Sequence, residues 1–325
     1  MGWFGIRLME EKYAMTNTSK QSRVSWFREL KRIQSGAILH AFDLLVEIRM
    51  SQAAREEIKS ATTRYIQACL GEPDLRPDST LLAFLETNID EFANRTPNGI
   101  LMPKHEFEDE FSQLHKAVAS YVRGLGIDNL ICNISCPIVV RLVEGTSDPS
   151  VEARQYSSSK IHLDAWVGEP GDEVIVSMPM LGDIERTGVE YFEPPEEFES
   201  RLVREMSNFD EGLQLLGECK PYPLKQRHGC VYFMDAAVPH RTVRRGGGVR
   251  VTVEFRLRRR TTEAERLAVE GAIDPGRLAH FTRLDDWYRL GTTKRMRFLD
   301  TYADAKRGIF AQRPYSEPIY TVVDV

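Results

Sequence analysis

The spacing of apolar residues changes character twice along the chain. Residues 1–23 show no regular period and carry Arg7, Glu10, Glu11 and Lys12 among scattered apolar positions, so a flexible tail is expected there. From Val24 to Leu70 the apolar residues recur at helical intervals. Leu39, Phe42, Leu45 and Val46 form one set, and Ile58, Ala61, Tyr65 and Cys69 repeat the pattern. That spacing predicts helix up to Gly71-Glu72-Pro73, because proline disfavours the α conformation in the residue before it. A second helix is predicted over His105–Val122, with Phe107, Phe111, Leu114, Val118 and Tyr121 as its buried stripe and Gly124 and Gly126 as its stop.

From about Leu130 the period shortens. Ile138–Val143, Val174–Val176, Val189–Phe192, Cys230–Phe233 and Val249–Leu257 are short β-branched runs bounded by turn residues. Short strands without intervening helices point to an antiparallel sandwich or barrel, not to alternating βα units. One long excursion, 183–228, interrupts them. It is acidic, contains Pro194-Pro195, and has the pattern of a helix from Glu196 to about Leu216, as a lid or binding loop would. After Thr261 the pattern turns helical again, and Thr262 and Glu265 have the spacing of a capping box.

Composition narrows the class. The chain has 325 residues, a formal charge of −5, 42% hydrophobic and 28% charged residues, an ordinary globular balance that excludes a disordered chain. No run of about 18 apolar residues is present, so no membrane-spanning helix is expected. The first twenty residues lack the apolar stretch of a secretory signal. Five cysteines (Cys69, Cys132, Cys136, Cys219 and Cys230) are too few for a disulfide scaffold, and Cys132 and Cys136 have no second pair to complete a zinc site. Reduced packing thiols and a cytoplasmic setting are expected. The near-neutral charge weighs against a dedicated nucleic-acid binder.

The candidate chemistry lies within the β-rich stretch. His162 and Asp164 stand two apart in Ser159-Lys-Ile-His-Leu-Asp-Ala-Trp166, which reads as a strand leading into a turn. Alternation along a strand puts both side chains on one side. An imidazole and a carboxylate from one face make two thirds of a facial metal site, and His240, just after Pro239, is the candidate third ligand. Two histidines and one carboxylate leave coordination positions open, as non-haem Fe(II) oxygenases require. Arg250 follows His240 by ten positions and Thr252 by twelve, with Gly246-Gly247-Gly248 between them read as a hairpin turn. Along Val249–Leu257 the residues Arg250, Thr252, Glu254 and Arg256 alternate with Val251, Val253, Phe255 and Leu257. A guanidinium and a neighbouring hydroxyl on the polar face suit a carboxylate, while the apolar face suits packing against the flanking helices.

This order, His-x-Asp, a distal His, then Arg and Thr at fixed spacing, resembles the Fe(II)/2-oxoglutarate-dependent dioxygenase superfamily over roughly Ile138 to Arg258. The resemblance implies an α+β fold with a double-stranded β-helix (jelly-roll, cupin-like) core flanked by N-terminal and C-terminal helices. A single catalytic domain over 24–325 is then expected: a helical part at 24–129, the jelly roll at 130–260 with the lid-like insertion 183–228, and C-terminal helices and tail at 261–325. The resemblance also implies that His162, Asp164 and His240 hold iron and that 2-oxoglutarate chelates it through its keto-acid end. Its far carboxylate would meet Arg250, assisted by Thr252. By the same resemblance O₂ is the second cosubstrate, and a C–H bond of a small molecule, such as a natural-product intermediate, is oxidised with release of succinate and CO₂. Related halogenases lack the carboxylate ligand, so Asp164 favours hydroxylation, although desaturation, ring formation and epimerisation use the same ligands.

Other residues divide between functional and ordinary readings. Trp166, on the same face as Asp164 if the strand continues, would wall the pocket or simply pack in the core. Arg141 lies on an early strand, and Arg186 and Tyr191 lie where the insertion leaves the sheet, so all three are candidate substrate contacts. Arg241, Arg244, Arg245, Arg256, Arg258, Arg259 and Arg260 make a basic segment that reads mainly as a solvated strand face and edge. It leaves as alternatives a macromolecule-modifying member of the same superfamily and a non-catalytic jelly-roll binding module. His105 sits on an amphipathic helix and is expected to be solvated.

Overall fold

The computed structural model describes residues 20–71, 78–146, 149–195, 202–263, 267, 278–298 and 320–325. Strands β1 (Ile38–Ala41) and β2 (Leu45–Arg49) come first, followed by β3 (Ile100–Leu101), β4 (Ile131–Ser135), β5 (Val139–Glu144) and β6 (Glu173–Gly182). Next are β7 (Val189–Tyr191), β8 (Cys230–Asp235), β9 (His240–Thr242), β10 (Val249–Arg259), β11 (Phe281–Arg283), β12 (Lys294–Phe298) and β13 (Tyr320–Asp324). Helices α1 (Lys20–Ile33), α2 (Gln52–Leu70), α3 (Asp78–Asn88) and α4 (Glu108–Gly124) precede the β-rich part. Helix α5 (Phe209–Leu216) lies in the insertion, and α6 (Leu284–Arg289) follows the sheet.

A large antiparallel sheet runs β1-β2-β8-β6-β10, and β10 then pairs with both β5 and β4 on its far edge. Strand β10 is long enough for this. Residues 249–254 meet β5, and 257–259 meet β4. The opposite, smaller sheet holds β7 paired with β9. His162 bridges to His240 on its other side, and Phe192 bridges to Pro221. Between residues 139 and 259 the chain therefore goes large (β5), small (His162), large (β6), small (β7, then Pro221), large (β8), small (β9), large (β10). That alternation winds a double-stranded β-helix, and with the packed helices the fold is α+β.

The apolar face of β10 behaves as its alternation predicts. Val251, Val253, Phe255 and Leu257 are buried, and Phe255 packs against Trp287 of α6 with ring centroids 5.9 Å apart. They belong to one core that also takes in Phe27 and Leu30 of α1, Tyr65 of α2 and Phe111 of α4. Helix α2 is closed at both ends: Ser51 accepts from the Ala54 N–H, and Gly71 takes the left-handed conformation (φ 68°) that glycine tolerates.

Several expectations need correction. The stretch 24–70 is not continuous helix, because β1 and β2 separate α1 from α2. Leu45, Val46 and Ile48 are strand residues paired with β8, where the available sheet edge outweighed a locally helical spacing. The described part of α1 starts at Lys20, inside the expected tail; residues 1–19 lie outside the described residues. Gly246–Gly248 do not close a hairpin between β9 and β10, which belong to different sheets. All three glycines have positive φ, and the Gly246 N–H and Gly248 carbonyl both bond Gly145, so the segment is a crossover between sheets. The described part after residue 261 includes β11, joined to β4, and the β12–β13 pair, so it is not purely helical. Glu265 of the expected capping box, Glu72, Pro73 and residues 196–201 of the expected insertion helix lie outside the described residues.

Candidate metal centre

The two histidines are brought together by backbone. His162 and His240 exchange N–H···O bonds of 3.0 Å in both directions, the close pairing of an antiparallel bridge. Directly opposed residues of such a pair project to the same face, and the two rings stand 4.4 Å apart. Asp164 follows two positions later at the start of a short turn, Asp164–Val167, and reaches the same space. Its Oδ1 lies 3.5 Å from His240 Nε2 and 3.8 Å from His162 Nε2. Ligands about 2.1 Å from a metal and at right angles lie about 3 Å apart, so a small closure about a cation completes the geometry.

The free nitrogen of each ring is fixed. His162 Nδ1 donates to the Lys160 carbonyl at 2.8 Å and His240 Nδ1 to the Val238 carbonyl at 3.0 Å, which leaves both Nε2 lone pairs facing Asp164. Burial, with His240 nearby, lowers the His162 pKa to about 3, so this imidazole is neutral and able to ligate. Burial alone would raise the Asp164 carboxyl, but Arg256 and the two imidazoles hold it well below the usual range. Arg256 Nη2 donates to Asp164 Oδ2 at 2.9 Å, occupying one oxygen and leaving the other toward the histidines. Arg256 also meets Glu169 at 3.3 Å and Glu173 at 3.2 Å. Phe209 of α5 stacks on His162 at 4.3 Å, so the insertion covers one face of a ligand.

These side chains line a cavity between the sheets. The large sheet contributes Ile175, Met234, Arg250 and Glu254, and the small sheet contributes Tyr191 and Thr242. Arg250 is 1% exposed, and its burial lowers its pKa to about 10, which still leaves it cationic at neutral pH. Its Nη1 donates to Gln226 Oε1 at 3.2 Å, while its Nε is buried without a partner among the described residues. The Thr252 hydroxyl is likewise buried without a partner, although Thr252 is not in the cavity lining. A buried guanidinium with spare donors, beside a metal-ligand triad, fits an anionic carboxylate.

Of the candidate substrate contacts, Tyr191 and Arg141 line the cavity, and Trp166 and Arg186 do not. Trp166 is fully buried, donates to the Leu202 carbonyl at 2.8 Å and packs with Leu163, Met206 and Leu216. A Cβ on Gly212 of α5 would run into its ring, so it is the floor on which α5 sits. The strand alternation that was to aim Trp166 at the pocket ends at Asp164, where the turn begins. The Arg186 side chain is 60% exposed and pairs with Asp183. The arginine segment is divided: Arg256, Arg258 and Arg259 turn inward, whereas Arg245 and Arg260 are exposed as a solvated edge would be. Arg258 pairs with buried Asp172, Arg259 with Asp235, and Arg241 and Arg245 share Glu190. His105 is exposed, and its ring pairs with Glu108.

Sequence reading missed two residues that support the site. Arg256 stood on the same strand face as Arg250, and that alternation was its available signal. Gln226, which accepts from Arg250 and donates to the Tyr191 hydroxyl at 2.7 Å, had none.

The chain matches no family model and no curated protein. Among solved structures it is similar to the non-heme alpha ketoglutarate dependent epimerase SnoN from nogalamycin biosynthesis (14% identity, 70% of this chain and 82% of that one, TM-score 0.37). It is similar also to the carbocyclase SnoK of the same biosynthesis (13%, 75% and 85%, TM-score 0.39). A third is an N-substituted L-amino acid dioxygenase from Burkholderia ambifaria AMMD (11%, 70% and 86%, TM-score 0.35). The double-stranded β-helix is the fold that the sequence resemblance implied, and His162, Asp164 and His240 offer ligand atoms within 4.8 Å of one another. Among the described residues no helix is long and apolar enough to cross a membrane.

Proposed function

We propose that this chain is an oxidoreductase of the Fe(II)/2-oxoglutarate-dependent dioxygenase superfamily that oxidises a C–H bond of a small molecule, with hydroxylation as its reaction. The observation that carries the reading is the convergence of His162 Nε2, His240 Nε2 and Asp164 Oδ1 at one end of a cavity whose other end holds the under-bonded Arg250. The residues His162, Asp164 and His240 would hold Fe(II), which when bound would supply O₂ activation, one oxygen atom going to succinate as 2-oxoglutarate loses CO₂ and the other to the substrate.

The residues of the chain do the rest. His162, His240 and Asp164 hold the metal on one face and leave the opposite face open to ligands. Arg250, with Thr252 beside it, binds the far carboxylate of 2-oxoglutarate and sets its distance from the metal. Gln226 and Tyr191 hold that guanidinium in place. Phe209, stacked on His162, keeps water from one side of the ring, and a dry site limits wasteful reaction with solvent. Arg141, which lines the cavity, is the proposed substrate contact. Residues 24–325 act as one catalytic unit in this reading, supported by the core shared between α1, the sheets and α6. The pairing of Arg256, Arg258 and Arg259 with carboxylates inside the protein supports a small-molecule substrate over a macromolecular one.

Anaerobic addition of Fe(II) and 2-oxoglutarate is expected to give a visible metal-to-ligand charge-transfer band. Asp164→Ala is expected to abolish it, and Arg250→Ala to shift its 2-oxoglutarate titration to much higher concentration. A wild-type protein that stays colourless, with no thermal stabilisation by either ligand, overturns the proposal and leaves a non-catalytic module.

A further inference from the structure

We propose that an apolar chamber next to the metal centre is the substrate site, and that it takes an uncharged, largely hydrocarbon small molecule carrying one hydrogen-bonding group. The inference rests on the oxygenase reading above and adds to it the place and chemical class of the second substrate.

The argument follows the inward face of β10. Arg250 stands near its start and Arg256 six residues on, a span of about 20 Å along an extended strand. Arg250 marks the far end of the site cavity, and Arg256 touches the metal-ligand carboxylate. The cosubstrate is assigned to the stretch between them, and the space past Glu254 and Arg256 adjoins it. A second cavity begins there. It opens to solvent on one side and shares Arg141, Ile175, Glu254 and Arg256 with the site cavity. Register makes the two successive: Glu254 is opposite Val139, and Arg256 is opposite Ile175. Val139 alternates with Arg141 and so faces inward, and it lines the second cavity but not the first.

The lining sets the class of ligand. Leu101, Met102, Ile138, Val139 and Phe281 give it apolar surface, and Ser135 and His280 are polar members of the same lining. The charged groups on the shared boundary are matched within the protein: Arg141 Nε lies 3.0 Å from Glu254, and Arg256 is held by Asp164, Glu169 and Glu173. A ligand carrying its own charge would have to break one of these pairs or enter desolvated, both costly. A neutral ligand loses nothing there, and its hydroxyl or carbonyl can meet the Arg141–Glu254 pair at the metal end.

Three probes of one shape test this: naphthol, naphthoate and naphthylmethylammonium. In equilibrium dialysis with the full chain, naphthol is expected to bind about tenfold or more tightly than either charged probe. With Mn(II) in the metal site its proton NMR lines are expected to broaden, and Asp164→Ala should restore them. Val139→Phe, which fills the chamber, is expected to weaken naphthol about tenfold while leaving the Fe(II)/2-oxoglutarate band unchanged. If that variant does not fold, Phe281→Trp at the sheet margin makes the same test. Naphthol binding unchanged by the filling variant, lines left sharp by Mn(II), or tighter binding of naphthoate would each overturn the inference. The two readings fail separately: a normal charge-transfer band with no naphthol binding removes the substrate site alone, whereas naphthol binding with no band removes the oxygenase.

Discussion

His115 in the helical layer and His162 between the sheets are both cut off from water, and each ring is tied through one nitrogen to a backbone carbonyl. His115 Nε2 donates to the Trp287 carbonyl at 3.0 Å, and His162 Nδ1 donates to that of Lys160. Burial lowers both pKa values, to about 4 and about 3. What differs is the second nitrogen. His115 Nδ1 is buried without a partner among the described residues, beneath an edge-on Trp287 ring, whereas His162 Nε2 faces a carboxylate, a second imidazole and a cavity. A buried neutral histidine is therefore no sign of a metal site. Convergence of second donors on open space is.

The comparison breaks most sharply at Asp164. Asp164→Ala leaves two imidazoles and is expected to cost at least about a hundredfold in Co(II) or Fe(II) affinity, read by metal titration. His115→Gln is expected to leave that affinity unchanged and to alter stability against pH instead. In the unfolded chain His115 takes up a proton below about 6.5, but in the folded protein it stays neutral down to about 4. The unfolded state thus binds more protons in this window, and stability falls as pH drops from 6.5 to 4, by up to about 3 kcal/mol from this residue. Denaturant melts of the two proteins across that range should show this slope in the wild type and its loss in the glutamine variant.

Smaller effects sharpen the contrast. Arg256→Met keeps all three ligands but frees Asp164 Oδ2, and metal affinity is expected to fall about tenfold to a hundredfold, with partial recovery in Arg256→Lys. Tyr191→Phe removes the hydroxyl that accepts from Gln226, one step from Arg250. About 1 kcal/mol, or a roughly fivefold higher 2-oxoglutarate midpoint in the charge-transfer titration, is the expected size. Metal affinity measured without 2-oxoglutarate should not change.

The site was more legible than its surroundings. The spacings of His162, Asp164, His240 and Arg250 are local or fixed along strands, so alternation alone placed Asp164 beside His162 and Arg256 on the face of Arg250. Trp166 failed the same rule because the strand ends at Asp164, a boundary set by the turn and not by periodicity. Arg186 failed because a charged residue beside a cavity is as readily turned outward. The β1–β2 hairpin was hidden because four apolar residues at helical spacing also fit a short strand pair, and the choice between them lay in the unpaired edge of β8.

The sequence by itself determined the β-rich centre, the inward polar face of β10 and the set of residues able to bind metal, because these follow from period-two alternation and side-chain chemistry within short segments. Tertiary structure alone decided that His162 and His240 sit opposite each other, since their bridge joins segments 78 positions apart. It also decided that Gln226 backs Arg250, and that Arg256, Arg258 and Arg259 turn inward to buried carboxylates. Each of these depends on which distant segments pack together, and no local spacing carries that information.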